Sequence, residues 1–144
     1  CLRRSRQNRP HWCVPACAEM IIRYWHYELG HSKWPTQHVL AEQMEPHEYS
    51  GTSFYNERST YASYGFELEH GGRNAWDKAF EHLEHDYPVR LSIDIGTRHA
   101  VVLRGAKGTD DEQELSVLDP AGIYNSLWYP RREFLVRGFY FIYP

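Results

Sequence analysis

Cysteine is scarce in this 144-residue chain and odd in number: Cys1, Cys13 and Cys17 are the three. An odd count argues against a complete disulfide framework. No run of 18 apolar residues occurs, so no segment is expected to span a membrane. A signal-peptide pattern is also missing, as are internal repeats and low-complexity stretches. Charge of one sign is not in excess: 16 Lys and Arg against 19 Asp and Glu give a formal net charge of −3, which implies no particular partner. The one basic cluster, Arg3, Arg4, Arg6 and Arg9, reads as a solvated N-terminal arm. No second basic stripe supports it, so nucleic acid is not an expected partner. Nine histidines raise the question of a metal. His11, Cys13 and Cys17 lack the second close ligand pair that a structural zinc site wants, and His82 and His85, set among acidic residues, read as a solvated helix face. Neither metal nor cofactor is expected. The chain begins at Cys1 rather than Met, a start shared by fragments, processed forms and mature lipoproteins.

What is present points to a folded enzyme-sized unit. Apolar residues make up 42% and aromatic residues 15% of the chain, which excludes a disordered polymer. The length suits one domain, residues 1–144, around a single core. From Val14 to Leu29 apolar residues occupy both helical stripes, the pattern of a buried helix, with Pro15 in its first turn and Gly30 at its stop. A second helix is expected over Thr36–Met44, a long polar loop over 45–60, a short helix over Arg58–Tyr64 and an amphipathic helix over 73–86. After Pro88 the period falls to two: Val89, Leu91, Ile93 and Ile95 alternate with polar residues as in a strand. Strands are expected at 98–104, 114–119, Leu127–Trp128 and Gly138–Tyr143, with a helical turn at Arg131–Val136. A helical half, about 1–86, followed by an antiparallel sheet half, about 87–144, is an α+β architecture.

The chemistry concentrates at Cys13, just before the buried helix. A thiol at a helix N-terminus meets oriented N–H dipoles that favour the reactive thiolate. Far downstream stand His99, opening His99-Ala100-Val101-Val102-Leu103, and Asp119, in Leu118-Asp119-Pro120. Folding the two strands as a hairpin about Thr109 sets Leu103 against Leu115, Val101 against Val117, His99 against Asp119 and Arg104 against Glu114. Directly opposed side chains lie ~4.5–5.5 Å apart at Cβ, within reach of an imidazole–carboxylate hydrogen bond. Nucleophile, base and orienting acid would then be complete. Cys17, on the inward stripe, reads as core.

Gln7, the Cys13-Val14-Pro15-Ala16-Cys17 helix start, the His99–Leu103 strand and Val117-Leu118-Asp119-Pro120 together resemble the papain-like cysteine peptidases. Within them they are most similar to the bacteriocin-processing, double-glycine leader peptidases and their stand-alone or effector-type relatives. The resemblance implies a papain-like fold and a peptide or protein substrate. It implies that Gln7 is an oxyanion-hole donor beside the Cys13 backbone N–H, that His99 is the base for Cys13, and that Asp119 fixes the imidazole. Two departures stand out: Val14 follows the cysteine where leader peptidases carry Gly and papain carries Trp, and no transporter segment accompanies the domain.

These readings make a cysteine endopeptidase the first expectation. A papain-fold deamidase or transamidating toxin could use the same three groups. A degenerate, peptide-docking module is disfavoured by the intact Cys13, His99 and Asp119. The leader-peptidase resemblance further implies cleavage after small residues such as Gly-Gly or Gly-Ala, with Trp12, Trp128, Tyr129 and Val14 as the walls of a narrow cleft.

Overall fold

The computed structural model describes residues 2–48, 50–109 and 112–144. Cys1, Tyr49, Asp110 and Asp111 lie outside the described residues, and so do the expectations that fall on them: the nature of the Cys1 start, and the expected loops at those three other positions. In chain order the elements are α1 (Cys13–Glu28), α2 (Gln37–Met44), α3 (Phe54–Ser63), β1 (Glu67–Gly72), α4 (Trp76–Glu84), β2 (Val89–Asp94), β3 (Arg98–Lys107), β4 (Glu114–Leu118), β5 (Tyr129–Pro130), a 3-10 turn (Arg131–Glu133) and β6 (Val136–Tyr143). The six strands form one sheet in the order β1-β6-β2-β3-β4-β5, with every pairing antiparallel.

The α1 helix is apolar on most sides because it is enclosed on most sides. Ala16, Cys17, Ala18, Met20, Ile21 and Ile22 are fully buried, and each large aliphatic contributes roughly 1.5–3 kcal/mol by leaving water. It packs with α2, Tyr61, Phe66 and Leu68 against one sheet face, represented by Ala100, Val102 and Ile142. The other face carries Val89, Leu91, Ile93, Val101 and Phe139, covered by Ala79, Trp76, Phe80 and Leu83 of α4. The helices therefore flank the sheet on both faces.

Several expectations change here. Ser53 and Asn56, which read as loop residues, open a helix instead: the Ser53 hydroxyl caps the Asn56 N–H at 3.1 Å, so α3 begins at Phe54 rather than Arg58. The β1 strand lies inside the expected helical half and pairs with the C-terminal strand. Its alternation of Phe66 and Leu68, buried, with Glu67, exposed, is the overlooked signal. Gly71 allows the close packing there, since a side chain at that position would run into the Phe141 ring. His82 is buried rather than solvated. It packs against Phe141, Tyr87 and Tyr143 and its Nε2 lies 3.2 Å from the Tyr143 hydroxyl. Strand β5 sits at Tyr129–Pro130, two residues beyond its expected place.

The hairpin register also differs. Leu103 faces Val117 and Val102 faces Leu118, a shift of two residues, and a bulge at Arg104 changes the register again so that Ala106 faces Leu115. Lys107, not Arg104, approaches Glu114, while Arg104 donates to the Ser116 hydroxyl at 2.8 Å. The even shift keeps the side chains of Val102 and Leu103 on their expected faces, while beyond the bulge Ala106 turns to the face of Leu103 and Leu115. Asp119 thus lies just beyond the end of β4 rather than directly across from His99.

Candidate active site

Three elements deliver three side chains to one end of the sheet. Cys13 is the first residue of α1, and the helix rests on β3. His99 is the second residue of β3, paired with Ile93 of β2, which fixes its backbone. Asp119 follows β4 at the head of a tight turn, where its carbonyl accepts from Gly122 N–H at 3.1 Å and Gly122 supplies the required positive φ of 76°. The His99 Nε2 lies 2.6 Å from Asp119 Oδ1, with both residues buried. Nδ1 is then the ring nitrogen left for the thiol, and His99 and the Ala100 backbone N–H are the nearby groups that favour the Cys13 thiolate.

Asp119 is unusually well supplied with donors. Its Oδ1 accepts from His99 and from Ala121 N–H at 2.9 Å. Its Oδ2 accepts from Ile123 N–H at 2.8 Å and Tyr124 N–H at 3.0 Å. Burial disfavours the ionised form, but the His99 hydrogen bond and these N–H groups outweigh it and hold the carboxyl below its ordinary range. For His99, burial again opposes charge, and the bonds to Asp119 and Cys13 overcome it, raising the imidazole to about 9. For Cys13, burial raises the thiol, while the His99 hydrogen bond, its charge, the Ala100 N–H and the Arg90 charge together bring it below the ordinary thiol value. Both shifts favour the ionised partners, thiolate and imidazolium, over the neutral thiol and imidazole. Cys17, one turn further along α1, is completely buried, and burial pushes its thiol well up. It is core, as its stripe implied.

The site opens into a cleft of about 540 Å³. Cys13, Val14 and His99 line it together with Gln7, Ser92 and Tyr140. Trp12, Trp128 and Tyr129 are not part of its lining. Trp12 is buried beside His38, and Trp128 lies under Lys107 at the far end of β3. The expected walls therefore lie elsewhere, and among the described residues Tyr140 is the Tyr, Trp or Phe that the cleft holds. Two residues that sequence reading missed stand beneath it. Arg90 of β2 forms a buried, bidentate ion pair with Glu57 of α3, and its guanidinium stacks 3.7 Å from the Tyr140 ring centroid. In sequence Arg90 was one polar residue of an alternating strand, and only its place on the helix-covered face reveals its burial.

Gln7 reaches the same cleft, but its amide nitrogen is occupied. Nε2 donates to the Arg9 and Pro10 carbonyls at 3.0 and 2.9 Å, and Oε1 is buried without a partner. The backbone N–H of Gln7 donates to Pro120 O at 2.9 Å, tying this segment to the Asp119 turn. Among the described residues no His, Cys, Asp and Glu cluster could hold a metal ion, and no helix is long and apolar enough to cross a membrane.

Residues 2–140 match the profile of the Peptidase_C39 like family. No curated protein sequence matches the chain. Among solved structures, the peptidase domain of Streptococcus ComA, a bifunctional ABC transporter involved in a quorum-sensing pathway, superposes with a TM-score of 0.76 at 15% identity, covering 100% of this chain and 99% of that one. A double glycine motif protease from an AMS/PCAT transporter, solved with its leader peptide, gives 0.74 at 18% identity, covering 99% and 91%. A C39-like peptidase from Bacillus anthracis gives 0.67 at 11% identity, covering 99% and 95%. These likenesses are likenesses of fold.

Proposed function

Because the chain belongs to the Peptidase_C39-like family and has the papain-like cysteine protease fold, we propose that it hydrolyses peptide bonds through Cys13, His99 and Asp119, with Gln7 as an oxyanion donor. The observation that carries this reading is the His99 ring held between the buried Asp119 carboxylate and the Cys13 thiol at the mouth of the cleft.

In the proposed cycle the Cys13 thiolate attacks the scissile carbonyl carbon, and the carbonyl electron pair moves to oxygen. The developing oxyanion takes a hydrogen bond from the Cys13 backbone N–H, an orphan donor of the first helical turn. Gln7 is the second donor. Both hydrogens of its amide face carbonyls at rest, so donation to the oxyanion exchanges or shares one of those bonds. Collapse of the intermediate breaks the C–N bond, and His99 passes its Nδ1 proton to the departing amine. Water, deprotonated by the now neutral imidazole, attacks the thioester; expulsion of the thiolate releases the acid product and restores the ion pair. Throughout, Asp119 holds the ring orientation and stabilises the imidazolium.

A peptide with the double glycine motif that one structural neighbour is named for is the natural first substrate to try. A double-glycine preference rests here on family likeness, since the aromatic walls that would have enforced it do not line the cleft. Incubation of the chain with a double-glycine peptide and with a mixed peptide library, read by mass spectrometry, tests the reading. Backbone cleavage that disappears in Cys13→Ala supports it. A one-dalton gain on Gln or Asn side chains without cleavage would replace it with the deamidase reading. Iodoacetamide at neutral pH should label Cys13 well ahead of Cys17, and equal labelling of the two would contradict a thiolate at Cys13.

A further inference from the structure

Gln37 opens α2, far from the cleft in sequence, yet it is buried and polar. Its side-chain amide behaves like a peptide group of a neighbouring strand. Oε1 accepts from the Asn8 backbone N–H at 2.7 Å, and Nε2 donates to the Arg6 carbonyl at 2.8 Å. The two groups it engages belong to the residues on either side of Gln7. Glu19 of α1 in turn holds Gln37: its Oε2 accepts the Gln37 backbone N–H at 2.8 Å, and its Oε1 lies 3.5 Å from Nε2. From the opposite side Gln7 N–H is bound to Pro120 O, one residue past Asp119. The segment 6–8 is therefore gripped from the helical side and from the sheet side, with Gln7 between the grips.

We propose that Gln37 is a positioning residue for peptide-bond hydrolysis: it fixes the backbone that carries Gln7 at the oxyanion position, linking that backbone through Glu19 to the same helix that presents Cys13. This rests on Gln7 acting as the oxyanion donor. A wholly apolar residue of the same size would fill the space but leave the part-buried Asn8 N–H and Arg6 carbonyl without this partner. A misplacement of ~1 Å in a catalytic donor can cost ~10²-fold in rate.

The test uses the full chain, a peptide substrate identified in the cleavage assay, and four variants: Gln7→Ala, Gln37→Ala, Gln37→Glu and the double variant Gln7→Ala/Gln37→Ala. Gln37→Glu keeps the volume and the acceptor for Asn8 N–H, but cannot donate to Arg6 O and faces Glu19, so it serves if the alanine variant fails to fold. Alkylation of Cys13 by iodoacetamide forms no oxyanion, so its rate and pH profile report on the thiol and the fold alone. The expected result is a fall in kcat of up to ~10²-fold for either Gln37 variant with KM and alkylation little changed, and a double variant no slower than Gln7→Ala. Three results would overturn it: normal turnover in both Gln37 variants, losses at positions 7 and 37 that multiply, or a parallel loss of alkylation. If Gln7→Ala itself turns over normally, the oxyanion assignment falls and this inference falls with it, a failure told apart because it occurs with Gln37 intact.

Discussion

Asp119 sets the terms for its own replacement. All four of its hydrogen bonds are acceptances, two at each oxygen. An asparagine in the same pose would point an NH2 group at donors whichever way it flips. Asp119→Asn is therefore expected to cost more than charge: about 10²–10⁴-fold in turnover through loss of the oriented base, and ~1–3 kcal/mol in stability through unmatched buried N–H groups, read by peptide kinetics and thermal melting. A near-normal melting point would show that the turn adapts. The pH dependence follows from the same three residues. His99 in the folded protein is raised to about 9, so activity should fall as pH rises through about 9, where the proton for the leaving amine is lost. The acid limb belongs to protonation of the Cys13 thiolate and should lie below the ordinary thiol range. Asp119→Asn should pull the alkaline limb downward, since the largest interaction raising His99 is gone. For stability the sign is the same: the raised His99 contributes fully below its unfolded value near 6.5 and its contribution disappears as pH climbs through about 9. Cys13, His99 and Asp119 were legible in the sequence because each sits in a local pattern of helix start, strand start and turn. Gln37, Arg90 and Glu57 were not, because each is explained only by a partner about thirty residues away.

At the scale of elements, the strands and helices that announced themselves did so by period, and the errors came from residues with two uses. Serine and asparagine at 53 and 56 suit a loop and a helix start equally well, and only the cap bond distinguishes them. Ser53→Ala is expected to destabilise the protein by about 1 kcal/mol, measured as a lowered melting temperature. Activity should change little at temperatures where the variant stays folded, because the Glu57 carboxylate keeps its bonds to Arg90. A Ser53→Ala variant that melts like the parent would mean the α3 start is held by packing alone. The hairpin shows a different ambiguity. Its apolar pairs satisfy several registers of the same parity, so alternation located the faces as far as Leu103 but not the partners, and Gly105, which read as the start of a turn, lies beside the bulge.

For the whole molecule, the buried Arg90–Glu57 pair joins α3 to β2 across the face on which the cleft is built. Removing one charge leaves the other stranded in the interior. Glu57→Gln is expected to lose about 3–5 kcal/mol in urea unfolding, whereas Arg90→Met/Glu57→Leu, which removes both charges, should be less damaged than the single variant. The opposite ranking would indicate that the pair contributes net attraction beyond its desolvation cost. Sequence alternation placed most of the sheet, but its order was not readable: nothing local says that β6 lies between β1 and β2. That order has a consequence for how the protein is made. During translation β2, β3 and β4 emerge early and can pair among themselves, while β1 has no strand to join. The segment that unites them, Val136–Tyr143, is synthesised last of the six. The nascent chain must hold β1 and one open edge of β2 uncommitted until those residues clear the ribosome, so the sheet that carries His99 cannot close before Val136–Tyr143 is out of the tunnel.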